Sequence, residues 1–545
     1  MKTFFQLTVI FTLSLFAING YSQINLHWAN FYNGTTNTND EGKSSVTDNS
    51  GNVYVTGSSN NSGTFQDYTT FKYSPTGAMI WSANYNGPAN DFDQSFFITL
   101  DNTGNVIVTG YTTGVLSNAD ITTIKYSPDG VRLWLSTYNG NGNFKDFPTS
   151  VKTDQAGNVY VSGQSYGGAL TNYDMVVLKY SPSGAQLWAS LYNGSGNGND
   201  IANSLEVDPS GNVYVTGSGL ETETGTFDYV TLKYNSSGVR EWVSKYSGTS
   251  TGIDIANDLV LDNSGNVYIT GSSYSIFYDF ATIKYNNAGQ EQWVSRYNGV
   301  TNGNDNANSI QLDAAGNVFV AGVSRISGSF TDYAIIKYDN SGIRQWLRTY
   351  NGAGNQQDSI TSSALDINGD IIVTGYITGS GTGKDIATIK YNSSGVMDWI
   401  TVYNGIDNRD EVAYSVSVNN EDEVFVTGKV NTINSMDNLL TIKYSKISGI
   451  QLNGNIINTD FILYDNYPNP FNPSTQISFN LPVYSDVKLK VFDIKGNLVE
   501  TIINSKLETG YHQVSFNASG ISSGLYFYKL EAGNFVQTKK MVFVK

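Results

Sequence analysis

The sequence predicts an all-β protein: an eight-bladed β-propeller of four-stranded blades, closed by the N-terminal strand and followed by a small C-terminal β-sandwich. Three observations predict this fold. A segment of the type Gly-Asn-Val-Tyr-Val-Thr-Gly recurs eight times, 51 to 54 residues apart, which is the length of one blade. All eight tryptophans stand at one position of the repeat. Residues 464–545 break the period and read as alternating strands.

The composition agrees with short strands joined by tight turns. Charged residues make up only 14% of the chain, whereas Gly (55) and Tyr (37) are abundant. The absence of cysteine excludes disulfides, thiolate nucleophiles, Cys-based zinc sites and the lipid anchor of a lipoprotein.

The N-terminal segment predicts export. Residues 1–22 read as a secretory signal, with Lys2 before a largely apolar run over residues 4–18 and a small residue, Ser22, at the cleavage site. The mature chain then begins at Gln23. The apolar run is too short for a transmembrane anchor, and we expect no transmembrane span in the mature chain.

Each repeat contains four strand candidates joined by hairpin turns. In the first repeat, the first and second are separated by Asp-Asn-Ser-Gly from residue 48 and the third and fourth by Ser-Pro-Thr-Gly from residue 74, both of which suit a type I turn followed by glycine. In the first repeat the four candidates cover residues 44–48, 53–56, 70–73 and 80–85.

The fourth strand carries the invariant tryptophan, and the third carries an invariant Lys-Tyr pair. We expect the tryptophans to pack between blades, because a once-per-blade position suits packing better than sugar stacking. The recurrent lysine is expected to be a paired or solvated strand residue. The tryptophans are Trp28, Trp81, Trp134, Trp188, Trp242, Trp293, Trp346 and Trp399.

The ends of the array predict a closed ring. The mature chain starts with an unpartnered fourth strand at residues 28–32 and ends the array with a third strand at residues 441–444. Pairing these two completes the eighth blade. An open stack would instead leave unpaired edges at both ends.

Residues 23–446 resemble the bacterial SBBP-type β-propeller repeat family, through the Gly-Asn-Val-Tyr-Val-Thr-Gly and Ile-Lys-Tyr-x-x-x-Gly-x-x-x-Trp patterns. The resemblance covers about 420 residues and implies the propeller fold. The family name implies seven blades, whereas the tryptophan and Lys-Tyr counts here give eight. The resemblance implies no activity.

One connection varies in length, from the second-strand glycine to the third strand, at 8 to 11 residues. In a meander this connection emerges on the same face as the connections between blades. Variable loops on a rigid scaffold often carry binding, although surface loops tolerate length changes regardless of use.

Two carboxylate sets are predicted on this face. The first set precedes the first strand, and the second precedes the third strand: Asp67, Asp120, Asp174, Asp228, Asp279, Asp332, Asp385 and Asn438. Oxygen ligands suit Ca²⁺, so the first set is a candidate metal site; the alternative is that each Asp accepts hydrogen bonds within its own loop. No other cofactor is expected. The first set is Asp40, Asp93, Asp146, Asp200, Asp254, Asp305, Asp358 and Glu411.

Catalysis has little support in the sequence. The two histidines, His27 and His512, build neither a Ser-His-Asp triad nor a zinc site. A carboxylate pair could cleave glycosides, but no two of the many Asp are distinguished. We therefore expect no enzyme.

The C-terminal domain resembles the type A C-terminal sorting domain of the type IX secretion system of Bacteroidota. The matching segments include Tyr-Pro-Asn-Pro-Phe-Asn from residue 467, Val-Lys-Leu-Lys-Val-Phe-Asp from residue 487 and the terminal Lys-Lys-Met-Val-Phe-Val-Lys. The resemblance implies Sec export, interaction with the type IX machinery, and a secreted or cell-surface location reached through the periplasm. The alternative is a fibronectin-like stalk.

The sequence therefore predicts four segments: a signal peptide (1–22), the propeller (23–446), a linker (447–463) and the sorting domain (464–545). The net charge is −16, and about −18 falls in the propeller, which argues against a nucleic-acid partner. We expect a binding or adhesion module for a glycan or a protein. A structural surface component without a ligand is the alternative, and a carboxylate-based carbohydrate-active enzyme the third.

Overall fold

The computed structural model describes residues 24–545, except for 37, 116–117, 221–224, 327–329, 406, 434, 447–448, 453–454, 459–460, 465, 467–468, 470, 482, 508–509, 534 and 545. The predicted signal peptide lies outside the described residues. The chain divides into two compact units, with the boundary between Ser445 and Lys446.

The first unit begins with β1 (Ile24–Tyr32), and the blades then follow in chain order. The first four blades are β2 (Glu41–Thr47), β3 (Val53–Asn61), β4 (Phe65–Tyr73), β5 (Met79–Tyr85); β6 (Asp93–Leu100), β7 (Val106–Thr113), β8 (Ala119–Tyr126), β9 (Arg132–Tyr138); β10 (Asp146–Thr153), β11 (Val159–Gly168), β12 (Asn172–Tyr180), β13 (Gln186–Tyr192); and β14 (Ile201–Val207), β15 (Val213–Leu220), β16 (Phe227–Tyr234), β17 (Arg240–Tyr246).

The remaining blades have the same order of strands. They are β18 (Asp254–Leu261), β19 (Val267–Tyr274), β20 (Tyr278–Tyr285), β21 (Glu291–Tyr297); β22 (Asn306–Leu312), β23 (Val318–Ser324), β24 (Asp332–Tyr338), β25 (Arg344–Tyr350); β26 (Ser359–Leu365), β27 (Ile371–Thr378), β28 (Lys384–Tyr391), β29 (Met397–Tyr403); and β30 (Glu411–Val418), β31 (Val424–Asn431), β32 (Asp437–Lys446).

The eighth blade is completed by the N-terminal strand, as the sequence predicted. Its sheet has the order β1-β32-β31-β30, while blades one to seven are meanders of consecutive strands. The first strands of neighbouring blades contact one another around the whole ring, including β30 with β2. The described residues of the first unit therefore form a closed eight-bladed propeller.

The strands extend further than the sequence predicted. The second strand of blade one, expected over residues 53–56, continues to Asn61 and pairs with β4 as far as Phe65. The variable connection is therefore mostly β-ladder, and only residues 62–64 form its loop. Ser58 and Ser59 lie beyond the expected end of this strand, and both are buried. Their burial depends on long-range packing, which local sequence does not reveal.

Each first strand contains a β-bulge near its start. The extra residue of blade five, Asn257, donates from its amide to the Ala307 carbonyl of the next blade at 2.7 Å. Asn203, Asn308 and Thr361 make the equivalent bond. These bonds join successive inner strands. The bulge residues are Lys43, Phe96, Thr149, Asn203, Asn257, Asn308, Thr361 and Tyr414.

The invariant tryptophans pack between blades. Trp28 lies on Gly77 of the next blade, where an added Cβ would come within 2.8 Å of the indole ring. In seven of the eight, the indole Nε1 also donates to a turn carbonyl of the next blade, at 2.9 to 3.2 Å. These are Trp28, Trp81, Trp134, Trp188, Trp242, Trp293 and Trp346.

The interface between blades seven and eight differs, because blade eight lacks the turn between its third and fourth strands. Trp399 is buried, but its Nε1 has no acceptor among the described residues. The fully buried Lys390 instead forms ion pairs with Asp366 and, at 3.2 Å, with Asp422. A charge cluster thus replaces the missing turn.

The second unit is a small β-sandwich, as predicted. A three-stranded sheet (β35-β36-β39) and a four-stranded sheet (β38-β37-β40-β41) enclose a core that includes Phe479, Leu489 and Tyr528. The segment expected to be a linker contains a two-stranded hairpin and the short β35. The strands are β33 (Gly449–Leu452), β34 (Asn455–Asn458), β35 (Ile462–Leu463), β36 (Ser474–Leu481), β37 (Ser485–Asp493), β38 (Leu498–Leu507), β39 (Gly510–Asn517), β40 (Gly524–Ala532) and β41 (Phe535–Phe543).

Candidate ligand-binding face

Antiparallel order within each blade separates two faces of the propeller. The turn-bearing face holds the turns between first and second strands and between third and fourth strands. The loop-bearing face holds the connections between blades and the loops between second and third strands. Its described segments are residues 33–36, 38–40, 62–64, 86–92, 114–115, 118, 139–145, 169–171, 193–200, 225–226, 247–253, 275–277, 298–305, 325–326, 330–331, 351–358, 379–383, 404–405, 407–410, 432–433 and 435–436.

The first carboxylate set joins the connection between blades to the end of a second strand. Asp358 accepts hydrogen bonds from the backbone N–H of Gly352 at 2.6 Å and of Thr378 at 2.8 Å. Asp254 accepts the second of these bonds, from Tyr274 at 2.8 Å. The same pair of bonds is made by Asp40, Asp93, Asp146, Asp200 and Asp305.

Burial shifts the protonation of these carboxyl groups. All eight side chains are buried, and burial raises the pKa of Asp40 to about 7 although the N–H groups of Gly34 and Asn60 oppose this. Burial likewise raises the pKa of Asp93 to about 6. Asp40 and Asp93 therefore titrate closer to neutral pH than a free carboxyl group does, while they hold the loops.

Glu411 departs from the other members of the first set. The backbone N–H of Asn431, which would match the strand-end donor of the other blades, bonds to the Asp410 carbonyl at 3.0 Å. Neither Glu411 oxygen has a hydrogen bond of normal geometry within the described residues. Burial raises its pKa to about 8, opposed by the Gly405 N–H and assisted by the nearby carboxylate of Asp385.

The structure does not bring the first carboxylate set together. Each member lies in its own blade, and among the residues that the structure describes no three His, Asp or Glu side chains converge as a metal site. The observed bonds support a loop-fixing role for these residues. Calcium binding by the set stays a prediction.

The second carboxylate set fixes the loops between second and third strands. Asp67 accepts from Asn61 Nδ2 at 2.9 Å and from Thr64 Oγ1 at 2.8 Å, across the hairpin loop of blade one. A Ser or Thr hydroxyl makes the matching bond to Asp174, Asp279, Asp385 and Asn438. Both sets therefore position loops on the same face.

An asparagine in the connections between blades went unrecognised in the sequence. In Asn86-Gly-Pro-Ala-Asn90, Asn90 adopts a left-handed φ of 52° and accepts a hydrogen bond from Asn86 at 2.6 Å. The signal was available as a second Asn four residues after the first. The same pair recurs from Asn139, Asn193, Asn298, Asn351 and Asn404.

About half of the large exposed apolar side chains described in the first unit lie on the loop-bearing face. Leu170 is 87% exposed and Val300 80%, in two different blades. Four of them, Phe65, Phe277, Phe330 and Met436, share the position two residues before the second carboxylate set. The other four blades have Asn, Asn, Thr and Gly there, so the blade itself does not require an apolar side chain at this position. The exposed apolar side chains on this face are Phe65, Phe92, Val115, Phe144, Leu170, Ile253, Ile276, Phe277, Val300, Phe330, Ile433 and Met436.

Three of the five exposed phenylalanines, Phe65, Phe92 and Phe144, lie in blades one to three, where further rings lie beside them. Phe65 and Phe92 stack with ring centroids 5.3 Å apart, and Phe144 lies 5.1 Å from Tyr166. We call this group the aromatic sector, and it consists of Phe65, Phe92, Phe96, Tyr111, Phe144, Phe147, Tyr166 and Tyr173.

A charged group lies where blades eight and one meet. Lys429 pairs with Glu41 at 3.1 Å and with Asp437 at 2.7 Å, while Lys43 also pairs with Glu41 and lies over the Tyr414 ring. Burial would raise the pKa of Glu41, but the two lysines outweigh it and lower that pKa. These charges neutralise one another and fix the junction.

Family models match two parts of the chain. The model described as a secretion system C-terminal sorting domain matches residues 465–545, and that of the beta-propeller repeat matches residues 242–278. An uncharacterized WD repeat-containing protein of Acanthamoeba polyphaga mimivirus is 24% identical, over 65% of this chain and 36% of its own length. The chain thus spans about a third of this curated relative.

Two solved structures illustrate the similarity in architecture. PorZ, a surface component of the type-IX secretion system of Porphyromonas gingivalis, is 11% identical with a TM-score of 0.30, covering 92% of this chain and 81% of PorZ. A fungal alcohol oxidase is 12% identical with a TM-score of 0.38, covering 82% and 96%. Similarity at this level carries no functional information.

The described residues include no helix long and apolar enough to cross a membrane. The matched C-terminal domain gives the route of the protein instead. The chain carries SBBP-type β-propeller repeats and a type IX secretion sorting domain, which directs it across the periplasm to the outer surface or the medium.

Proposed function

We propose that this exported propeller is a binding module that takes up a glycan or a protein on its loop-bearing face. The observation that carries the proposal is the set of large exposed apolar side chains on this face that the blade itself does not require. Such groups on an exported protein favour contact with a partner, because water contact with large apolar patches is unfavourable. Their irregular distribution around the ring suits a specific ligand.

The framework beneath the loops supports this proposal. The two carboxylate sets bond to loop backbone and to loop hydroxyls, as Asp358 and Asp67 do, and thereby order the segments that would contact a ligand. Ordered loops lose less conformational entropy on binding than mobile ones. Buried and bonded in this way, the carboxylates suit a structural task better than catalysis, so we propose no enzymatic role.

The two free ends of the propeller's strand array do not lie on this face. The chain enters β1 at Ile24 and leaves β32 at Lys446, and both positions lie on the turn-bearing face.

We propose the domain division stated above, with the propeller over residues 23–446, the linker over 447–463 with its hairpin, and the sorting domain over 464–545.

A structural surface component without a ligand is the second candidate. The once-per-blade repetition of both carboxylate sets favours it, because a specific ligand seldom contacts every blade equally. The two candidates differ in what they predict for substitutions of exposed apolar residues on the loop-bearing face.

Biolayer interferometry of the full mature chain tests the proposal. The probes are laminarin, xylan, galactomannan, mucin and fibronectin. A loop-face variant carries Leu170→Ser, Val300→Ser and Ile433→Ser. A control, called the rim variant, carries Leu133→Ser and Leu187→Ser in fourth strands and Val239→Ser in a turn of the turn-bearing face. All six positions are exposed. We expect saturable binding of one probe, weakened at least tenfold in the loop-face variant and less than twofold in the rim variant. Equal losses, or no saturable binding, would overturn the proposal.

A further inference from the structure

We propose that the aromatic sector binds a neutral polysaccharide, with sugar rings packed on the exposed faces of Phe65 and Phe92. This inference rests on the proposed function and names its ligand class. The axial C–H groups of a pyranose form an apolar surface that fits a flat aromatic ring, while its hydroxyl groups need polar partners at the edge.

Phe65 and Phe92 form one platform from two blades. Phe65 begins β4 of blade one, and Phe92 lies in the connection to blade two. Their rings are nearly parallel, with an interplanar angle of 28° and centroids 5.3 Å apart. The side chains are 57% and 45% exposed. A stacked pair that leaves this much surface to water is available to a ligand.

The backbone at Phe65 is strained, which indicates that its ring has a role beyond forming the turn. Phe65 has a φ of +54°, a left-handed conformation that is an outlier for a bulky residue. Asn172 occupies the same position of the blade-three hairpin with a φ of +56°. The protein therefore places asparagine, which tolerates this conformation, where no ring is needed. Strained residues of this kind cluster at binding sites.

Two further groups of rings lie in blades two and three. Phe144 lies 5.1 Å from Tyr166, which lies 5.4 Å from Tyr173. In the other group, Tyr111 lies 5.2 Å from Phe147. Rings spread over three successive blades suit an extended chain of sugars better than a single one.

The surroundings of the rings favour an uncharged ligand. With a net charge of −16, the protein repels polyanions such as uronate-rich polysaccharides. Apart from the charged Asp91 and Lys145, the polar side chains next to these rings in the sequence are mainly amides and hydroxyls, which donate to and accept from sugar hydroxyl groups. They are Asn61, Ser62, Thr64, Gln66, Asn90, Asn143 and Asn172.

The repeat provides its own comparison for Phe92. The position directly before the first carboxylate set holds an aromatic residue in one blade alone, so neither the connection nor its carboxylate requires a ring. The other blades have Asn39, Lys145, Asn199, Ile253, Asn304, Gln357 and Asp410 there.

Affinity gel electrophoresis of the full mature chain tests the inference. The neutral probes are laminarin, xylan and galactomannan, and the anionic probes are alginate and polygalacturonate. We expect retardation by a neutral polysaccharide, weakened at least tenfold by Phe92→Ala and by Phe65→Asn. Phe277→Ala, an exposed ring on the same face in blade five, should weaken it less than twofold.

Phe65→Asn separates a binding role from a structural one. It should leave the melting temperature unchanged or raise it, because asparagine relieves the left-handed strain, while binding is lost. No retardation by the neutral probes, retardation by the anionic probes alone, or intact binding by Phe65→Asn would overturn the inference. If mucin or fibronectin binds and only the loop-face variant loses that binding, the proposed binding face is upheld, and a neutral polysaccharide is ruled out as its ligand.

Discussion

Trp28 Nε1 donates a hydrogen bond to the backbone carbonyl of Pro75 at 3.0 Å, across 47 residues of sequence. Trp28 lies in the N-terminal strand that completes blade eight, and Pro75 lies in a turn of blade one. The same bond links the other blades that possess this turn. The N-terminal strand therefore closes the ring with an interface of the standard kind.

Substitution of Gly77 tests this interface. In Gly77→Ala, the new Cβ would come within 2.8 Å of the Trp28 ring at a residue with a φ of +83°. We expect a loss of about 2–4 kcal/mol, from left-handed strain and overpacking together. Gly63→Ala is the control, since its φ is +91° but no atom lies within 4 Å. Thermal unfolding should show a clearly larger drop for Gly77→Ala; equal drops would contradict the packing role.

The stability of the propeller should fall as the pH rises from 5 to 8. Burial raises the pKa of Asp40 to about 7, of Asp93 to about 6 and of Glu411 to about 8. A raised carboxyl pKa means that the folded state holds the proton more tightly than the unfolded chain, so its stabilisation is complete at acidic pH and is lost towards pH 8. The pKa of Asp101 is lowered to about 2, so the stabilisation from its ionised form is lost only in stronger acid.

Glu411→Gln isolates the largest of these contributions. Each unit of pKa displacement corresponds to about 1.4 kcal/mol, so the variant should flatten the fall in melting temperature between pH 5 and pH 8. The exposed substitution Asp129→Asn is the matched control and should leave the slope unchanged. Identical slopes in wild type and Glu411→Gln would show that Glu411 does not titrate in this range.

Chelation tests the calcium alternative. Because Asp358 and its equivalents already accept backbone hydrogen bonds, EDTA should change the melting temperature of the mature chain by less than about 1 °C, as no bound ion is lost. Differential scanning calorimetry with EDTA and with added Ca²⁺ gives the answer. A fall in EDTA that Ca²⁺ restores would instead make the first carboxylate set an ion site.

The charge cluster between blades seven and eight should be more sensitive than its equivalents. Lys390→Met leaves Asp366 and Asp422 without their buried cation, which should cost about 3–5 kcal/mol. Lys72→Met, at the same position of blade one, removes a bond to the Pro128 carbonyl and should cost about 1 kcal/mol. Chemical denaturation of both variants compares the two costs, and similar losses would refute a special role for Lys390.

Repetition made the architecture predictable from the sequence. Eight tryptophans at one position, with a spare fourth strand at the start of the array and a missing one at its end, determined the blade count and the pairing of β1 with β32. The positions of the strands in the C-terminal sandwich followed from alternation of apolar residues, as in β37. Each of these signals lies within a short segment or within one repeat period.

The candidate site was less predictable, because it departs from the repeat. The contact between Phe65 and Phe92 joins two blades, and the left-handed φ of Phe65 contradicts the preference of its residue type. In the sequence Glu411 is indistinguishable from the other acidic residues of the first set. In the structure, however, the Asn431 N–H that would bond to it bonds to the Asp410 carbonyl. Such features depend on packing between distant segments, which local patterns do not encode.

Oriented immobilisation tests the central claim that the loop-bearing face binds. Since the chain has no cysteine, Ser62→Cys and Thr76→Cys give unique attachment points on the loop-bearing and the turn-bearing face, and both positions are exposed. Surface plasmon resonance should show at least tenfold more saturable probe binding when the full mature chain is attached through residue 76. Equal binding in both orientations, or stronger binding through residue 62, would contradict the account.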